Sequence, residues 1–316
     1  MRRYALEVLA CPRCHGSLAC ADPAQEVTDG VLECLPEGVS FAIEAGVPHL
    51  VRPERAEAVA SLGQRYSRVW RQDGWGAAGP AYLLALPYQD LSGRAVSRWR
   101  IKARSLDALL SLLGELGPKR VLDLGSGVGW LAYHLSGRGY DAYAVDAVLD
   151  DVLGLAASAT YIQTGAHFER IWGELENPPF QDATFDAVVC NASLHYGAWH
   201  DTLSSIARVL RPGGSLIVLN SPVHRDSRSA IRAASDFQSR LRGLGADEDL
   251  AGAYHHFTRQ ELEAAVSAHF GPVREWPFNP GLGFRWSRRL KGLLLHMEFA
   301  SFPILYAQKR VEGRAP

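Results

Sequence analysis

Three glycines alternate with other residues in Val121-Leu122-Asp123-Leu124-Gly125-Ser126-Gly127-Val128-Gly129-Trp130, directly after an apolar run. Such a loop lets backbone amides and the start of the following helix approach a ligand where side chains would stand in the way. A dinucleotide fingerprint needs its third glycine three residues after the second, and that place is Trp130, so an NAD site is disfavoured. A phosphate-cradling loop would close on Lys followed by Ser or Thr, and Val128-Gly129-Trp130 offers neither. The loop therefore suits a ligand without a phosphate. Asp123 can face a cation or an amine, and Asp146 ends the next apolar run, Ala142-Tyr143-Ala144-Val145-Asp146, 21 residues after Gly125. An acidic group there accepts from both hydroxyls of a ribose. Together these residues ask for a nucleoside that carries an ammonium group.

Cysteine and histidine supply the other reactive side chains. Cys11, Cys14, Cys20 and Cys34 crowd the first 34 residues, whereas Cys190 stands alone inside an apolar strand as a small filler. The clustering suggests a local metal site rather than a disulfide framework. Cys11 and Cys14 make one knuckle, but the second reads Cys34-Leu35-Pro36-Glu37 with Glu in place of Cys. Structural zinc held by Cys11, Cys14 and Cys34, with Glu37, Cys20 or His15 closing a tetrahedral shell, and a degenerate site held by packing both stay open. His195, in Asn191-Ala192-Ser193-Leu194-His195-Tyr196, follows a strand end and is the candidate general base. A packing or capping histidine is its other reading. Tyr196 can stack on a ring or shape the pocket. His255 and His256 precede a helix with a capping box at Thr258 and Glu261 and are candidate acceptor contacts.

These residues need a framework. Strand candidates at Arg120–Leu124, Ala142–Asp146, Phe168–Trp172, Asp186–Cys190, Ser215–Asn220, Val273–Pro277 and Phe302–Gln308 alternate with helical segments. Near-continuous apolar strands in that arrangement predict an α/β, doubly wound, seven-stranded parallel sheet covered on both faces. Ahead of it stand a small β-rich module over 1–53 and a helical linker or lid over 54–105. The main domain is expected over 106–316, with an insertion on the substrate side at about 223–254. Two basic clusters attract notice: Arg94, Arg98, Arg100, Lys102 and Arg104, whose helical spacing spreads them around a solvated helix, and Arg285, Arg288, Arg289 and Lys291 beside Trp286. Arg285 is a candidate substrate contact.

The segments VLDLGSGVGW, AYAVDA, WGELENPPF, FDAVVCNASLHY and RVLRPGGSLIVLNSP resemble, in order and spacing, the successive motifs of class I S-adenosylmethionine-dependent methyltransferases of the type 11 kind, over about Arg120 to Pro222. The resemblance implies a Rossmann-like fold and S-adenosylmethionine as cofactor. Gly125, Ser126, Gly127 and Gly129 would line its methionine and ribose portion, Asp123 would hold the amino group directly or through water, and Asp146 with Ala147 would bind the ribose. Glu174, where the family usually has Asp, would accept from the adenine amine, Leu175 would offer its amide to the ring, and Asn191 would face donor and acceptor. LACPRCHGSL and VLECLPEGVSFAIEAGVPHLV are similar to the zinc-ribbon-like domain that activates tRNA-, rRNA- and release-factor-modifying methyltransferases.

With 316 residues, 47% of them hydrophobic, and a formal net charge of -1, the chain has no global field for nucleic acid or an anionic membrane. No apolar run approaches the roughly 20 residues that span a bilayer, so a cytoplasmic enzyme is expected. A small-molecule acceptor, methylated on oxygen or nitrogen, is the expected partner. The alternatives are a ribosomal or transfer RNA acceptor and a non-catalytic protein that keeps the fold.

Overall fold

A computed structural model describes residues 1–77, 79–281 and 299–311; Arg285 and the cluster around it lie outside them. Strands β1 (Ala19–Cys20), β2 (Gly30–Cys34), β3 (Val39–Glu44) and β4 (Val47–Pro48) form an antiparallel sheet. Alternation along β2 and β3 turns Leu32, Cys34, Phe41 and Ile43 to one buried face. Main-chain bonds tie this module to the rest of the chain: Leu50 N donates to Trp172 O at 2.9 Å, Ala10 N to Pro179 O at 2.9 Å and Gln181 N to Val8 O at 2.9 Å.

Helices α1 (Ala56–Gln72), α2 (Pro80–Ala85) and α3 (Val96–Leu116) follow. Helix α3 continues through residue 105, so the boundary expected between lid and main domain falls inside one helix. Gly117 ends it in the left-handed region at φ 64°, its amide on Leu113 O.

The remaining elements are β5 (Arg120–Leu124), α4 (Trp130–Ser136), β6 (Asp141–Asp146), α5 (Ala159–Gln163), β7 (Phe168–Trp172), β8 (Phe185–Asn191), α6 (Trp199–Val209), β9 (Leu210–Leu219), β10 (Val223–His224), α7 (Ser227–Gly243), α8 (Glu248–Gly252), β11 (Phe257–Thr258), α9 (Arg259–Ser267), β12 (Arg274–Trp276) and β13 (Ile304–Gln308). Seven strands form one sheet in the order β12-β13-β9-β8-β5-β6-β7. Strands β7, β6, β5, β8 and β9 run parallel as expected, but β13 pairs antiparallel with both β9 and β12. An apolar run states that a strand is buried, not which way it points. Residues Arg211 to Gly214, whose Pro212-Gly213-Gly214 run would suit a turn, are absorbed into β9, where pairing with β8 shifts register between Phe185 and Ala187.

Both faces of the sheet are covered. Leu122, Leu124, Val188 and Cys190 pack into one layer, and Val121, Ala187, Val189 and Ile217 into the other with Leu106, Leu109 and Leu113 of α3. The insertion is closed by the parallel pairing of β10 with β11. Thr258 and Glu261 form the expected capping box of α9. Among the described residues no helix is long and apolar enough to cross a membrane.

Candidate active site

The glycine loop turns between β5 and α4 at the carboxyl end of the sheet. Gly125 and Ser126 both donate to Val145 O, at 2.8 and 3.0 Å, which pins the loop to β6. Gly125 has φ 80°, and a Cβ there would lie 2.3 Å from Ser193 Cβ, so no other residue fits. Gly129, at φ 76°, lies against Ser158 and Phe168. The amide of Gly127 donates to Asp146 Oδ2 at 2.7 Å and that of Val148 to Oδ1 at 2.8 Å. Burial nevertheless pushes the Asp146 carboxyl up to about 6.

This loop opens on a cavity of about 650 Å³. Gly125, Ser126, Gly127, Asp146 and Ala147 line one end of it, as do Glu174 and Leu175. Asn191, His195 and Tyr196 line it from the end of β8. Gly129 is not on its wall, and Asp123 is 1% exposed and lies behind it. Among the described residues no hydrogen bond of good geometry reaches either carboxylate oxygen of Asp123, and burial, reinforced by Asp146 and opposed by the Ala132 amide, pushes its carboxyl up to about 8. Ser126 Oγ is likewise buried without a partner. An unpartnered hydroxyl on the cavity wall beside a glycine cradle fits a bound ligand that brings its own polar group.

Glu174 is engaged from the lid. Arg55 Nε donates to its Oε1 at 2.5 Å, and Arg52 Nε lies 4.0 Å from its Oε2. Asn191 accepts at Oδ1 from Asn220 Nδ2 at 2.8 Å, and the same Nδ2 lies 2.9 Å from Ser105 Oγ of α3. This chain of polar contacts ties the lid helix to the ends of β8 and β9.

His195 is 2% exposed, with Nδ1 3.0 Å from Ser221 Oγ. Burial, aided by the charges of His256, Lys102 and His255, holds its pKa well below the usual histidine value, so the ring is neutral near pH 7. Its ring centroid lies 4.6 Å from that of Tyr196 and 4.4 Å from that of Tyr254. Tyr66 and Trp70 of α1 and Phe237 of α7 extend this aromatic wall.

His255 and His256 do not line the cavity. His255 fastens the loop after β8, its amide 2.8 Å from His195 O and its Nε2 2.9 Å from Gly197 O. His256 pairs through Nδ1 with Nε2 of buried His224 at 2.9 Å. The pairing of β10 with β11 sets His256 against His224, which their local sequence does not announce. Arg98 and Lys102, read from the sequence as part of a solvated helix, line the cavity. The signal was present: Trp99, Lys102, Leu106, Leu109 and Leu113 repeat at helical spacing along the buried stripe of α3. Asp73, 5% exposed at its side chain, pairs with Arg98 at 3.1 Å and with Arg240 of α7, latching lid to insertion.

In the N-terminal module the Sγ atoms of Cys11, Cys14 and Cys34 lie within 4.8 Å of one another. That supplies three of the four ligands a tetrahedral zinc needs. His15 is instead bonded to Asn177 Oδ1 at 2.9 Å, Glu37 lies 3.6 Å from Arg13, and Cys20 is outside the group.

A family model described as a methyltransferase domain matches residues 122–218. The chain is 30% identical over 224 residues to a demethylmenaquinone methyltransferase of Deinococcus radiodurans, covering 68% of this chain and 88% of that one. It is 33% identical over 142 residues to a demethylmenaquinone methyltransferase of Thermus thermophilus, covering 43% of this chain and spanning 62% of the relative's length. Among solved structures, phosphoethanolamine N-methyltransferase 2 of Haemonchus contortus with S-adenosyl-L-methionine aligns with a TM-score of 0.49 at 17% identity, over 65% of this chain and 53% of that one. With the Deinococcus relative covered nearly end to end and the glycine loop, Asp146 and sheet order in place, the chain belongs to the class I S-adenosylmethionine-dependent methyltransferases.

Proposed function

We propose that this enzyme methylates a small, largely apolar acceptor on oxygen or nitrogen, with His195 as the general base. The observation that carries the reading is that the glycine loop and the aromatic wall around His195 share one cavity. Its volume, about 650 Å³, lies in the range of small-molecule sites. S-adenosylmethionine, when bound, supplies an electrophilic methyl group on a sulfonium. The chain's residues then have to position, dehydrate and deprotonate the acceptor.

Neutral His195 suits the last task. With Nδ1–H donating to Ser221 Oγ, its Nε2 keeps a lone pair to take the acceptor's proton. Tyr66, Trp70, Phe237 and Tyr254 give the acceptor end apolar walls, and the Asp73 latch with Arg98 and Arg240 helps to exclude water. Gly125, Ser126 and Gly127 would cradle the methionine and ribose portion, Asp146 with Ala147 the ribose hydroxyls, and Glu174 with Leu175 the adenine. Asn191 would stand between donor and acceptor. Demethylmenaquinone and malonyl-[acyl-carrier protein] methyltransferases among the relatives agree with a small or carrier-borne acceptor.

Calorimetric titration with S-adenosylmethionine and S-adenosylhomocysteine, followed by a small-molecule acceptor screen, tests the reading. Micromolar binding of both and turnover of a small acceptor are expected. Tight RNA binding whose affinity falls steeply with salt would favour the nucleic-acid alternative instead.

A further inference from the structure

Lys102 projects from α3 into the cavity, one turn before Ser105, whose hydroxyl is tied through Asn220 to Asn191. Its ammonium lies 5.7 Å from the ring centroid of Trp75 and 5.8 Å from that of Trp99. Among the described residues it makes no hydrogen bond and no ion pair. The acidic group that supports it electrostatically is Asp123, behind the glycine loop. Burial lowers the lysine to about 8, and Asp123 opposes that fall. A cation between two tryptophans, with a largely protonated carboxyl group behind it and no bonded anion before it, is costly unless a ligand brings one.

We propose that Lys102 anchors the α-carboxylate of S-adenosylmethionine. The inference rests on the donor-site reading above. The donor's amino-acid end is a zwitterion, and its carboxylate is its only full negative charge. Lys102 lines the same cavity as Gly125 and Ser126, which would cradle that end. Trp75 and Trp99 hold the ammonium by their ring faces, and Asp123, its own carboxyl raised to about 8, leaves it short of a full counter-charge, which the donor's carboxylate would supply.

Three ligands separate the contributions: S-adenosylmethionine, its decarboxylated analogue, which keeps the amine, and 5′-methylthioadenosine, which lacks the whole amino-acid end. Calorimetry should show that the wild-type protein prefers S-adenosylmethionine over the decarboxylated analogue by about tenfold or more, as for a charged hydrogen bond. Lys102→Met should bind these two alike while its affinity for 5′-methylthioadenosine stays within about twofold, which also reports that the site is folded. Lys102→Arg should restore part of the preference. Equal binding of the two donors by the wild-type protein, or a preference retained in Lys102→Met, overturns the assignment while leaving the donor site intact. Failure of all three ligands to bind the wild-type protein overturns the donor-site reading and the anchor with it.

Discussion

Arg55 Nε sits 2.5 Å from Glu174 Oε1, so the residue just ahead of α1 holds a buried carboxylate on the wall of the cavity. Removing the guanidinium in Arg55→Ala leaves Arg52, 4.0 Å away, as the remaining cation. A loss of about 1 kcal/mol is expected, kept small because the arginine is half exposed. Urea midpoints measure it, and adding Glu174→Gln to Arg55→Ala should recover part of the loss. No recovery would mean that the pair contributes nothing beyond packing.

Asp146 carries two amide bonds in the free protein and, in the proposed complex, the ribose hydroxyls as well. Asp146→Ala should weaken S-adenosylhomocysteine binding by about 1–3 kcal/mol through the lost acceptor and a loosened loop. Asp146→Asn, which keeps one acceptor oxygen, should cost less. Unchanged calorimetric affinity in the alanine variant would sink the ribose assignment.

Turnover of an identified acceptor should fall about a hundredfold or more in His195→Ala, with little change in donor affinity. Because burial holds His195 well below the ordinary histidine value, its active neutral form persists as pH falls through 7. The rate should therefore be flat with respect to this group above about pH 6.5 and decline only in more acid solution. Normal turnover in the variant would make His195 a packing residue.

His256 is lowered to about 4 by burial and by its neighbours His224 and His255. The unfolded chain, with a histidine near 6.5, binds the proton more readily than the native one. The stabilisation from neutral His256 is thus present above about pH 6.5 and is lost as pH falls towards 4. Unfolding curves at pH 7.5, 6 and 5 should show a smaller acid-induced loss in His256→Gln than in the wild-type protein. Parallel curves would remove the histidine pair from the account.

The three thiols of Cys11, Cys14 and Cys34 predict a bound zinc. Elemental analysis should return about one zinc per chain, and Cys34→Ser should abolish it and lower the melting temperature. A metal-free wild-type protein with an unchanged melting temperature would assign the module's cohesion to its apolar face, Leu32, Phe41 and Ile43.

Local chemistry was legible in the sequence. Glycines at 125, 127 and 129 with Asp146 at the end of the next strand state their requirement through backbone geometry and one carboxylate, both short-range. Apolar strands alternating with helices stated a two-faced sheet. The capping box at Thr258 and Glu261 is likewise a contact within one turn.

Tertiary structure decided what depends on distant neighbours. The antiparallel direction of β13 is set by which strands it inserts between, and strand composition does not encode direction. Lys102 counted as one charge in a basic run until the packing of α3 turned its stripe onto the cavity, opposite a carboxylate 21 positions later in the chain. His256, neighbour of a legible cap, was set against His224 by the β10–β11 pairing, and His255 against the loop after β8. Arg55 met Glu174, 119 positions on, only because the N-terminal module and lid fold back over the sheet. A sequence displays which groups can ionise or bend, but their partners are chosen by packing, and packing sets the burial and field that decide what those groups do.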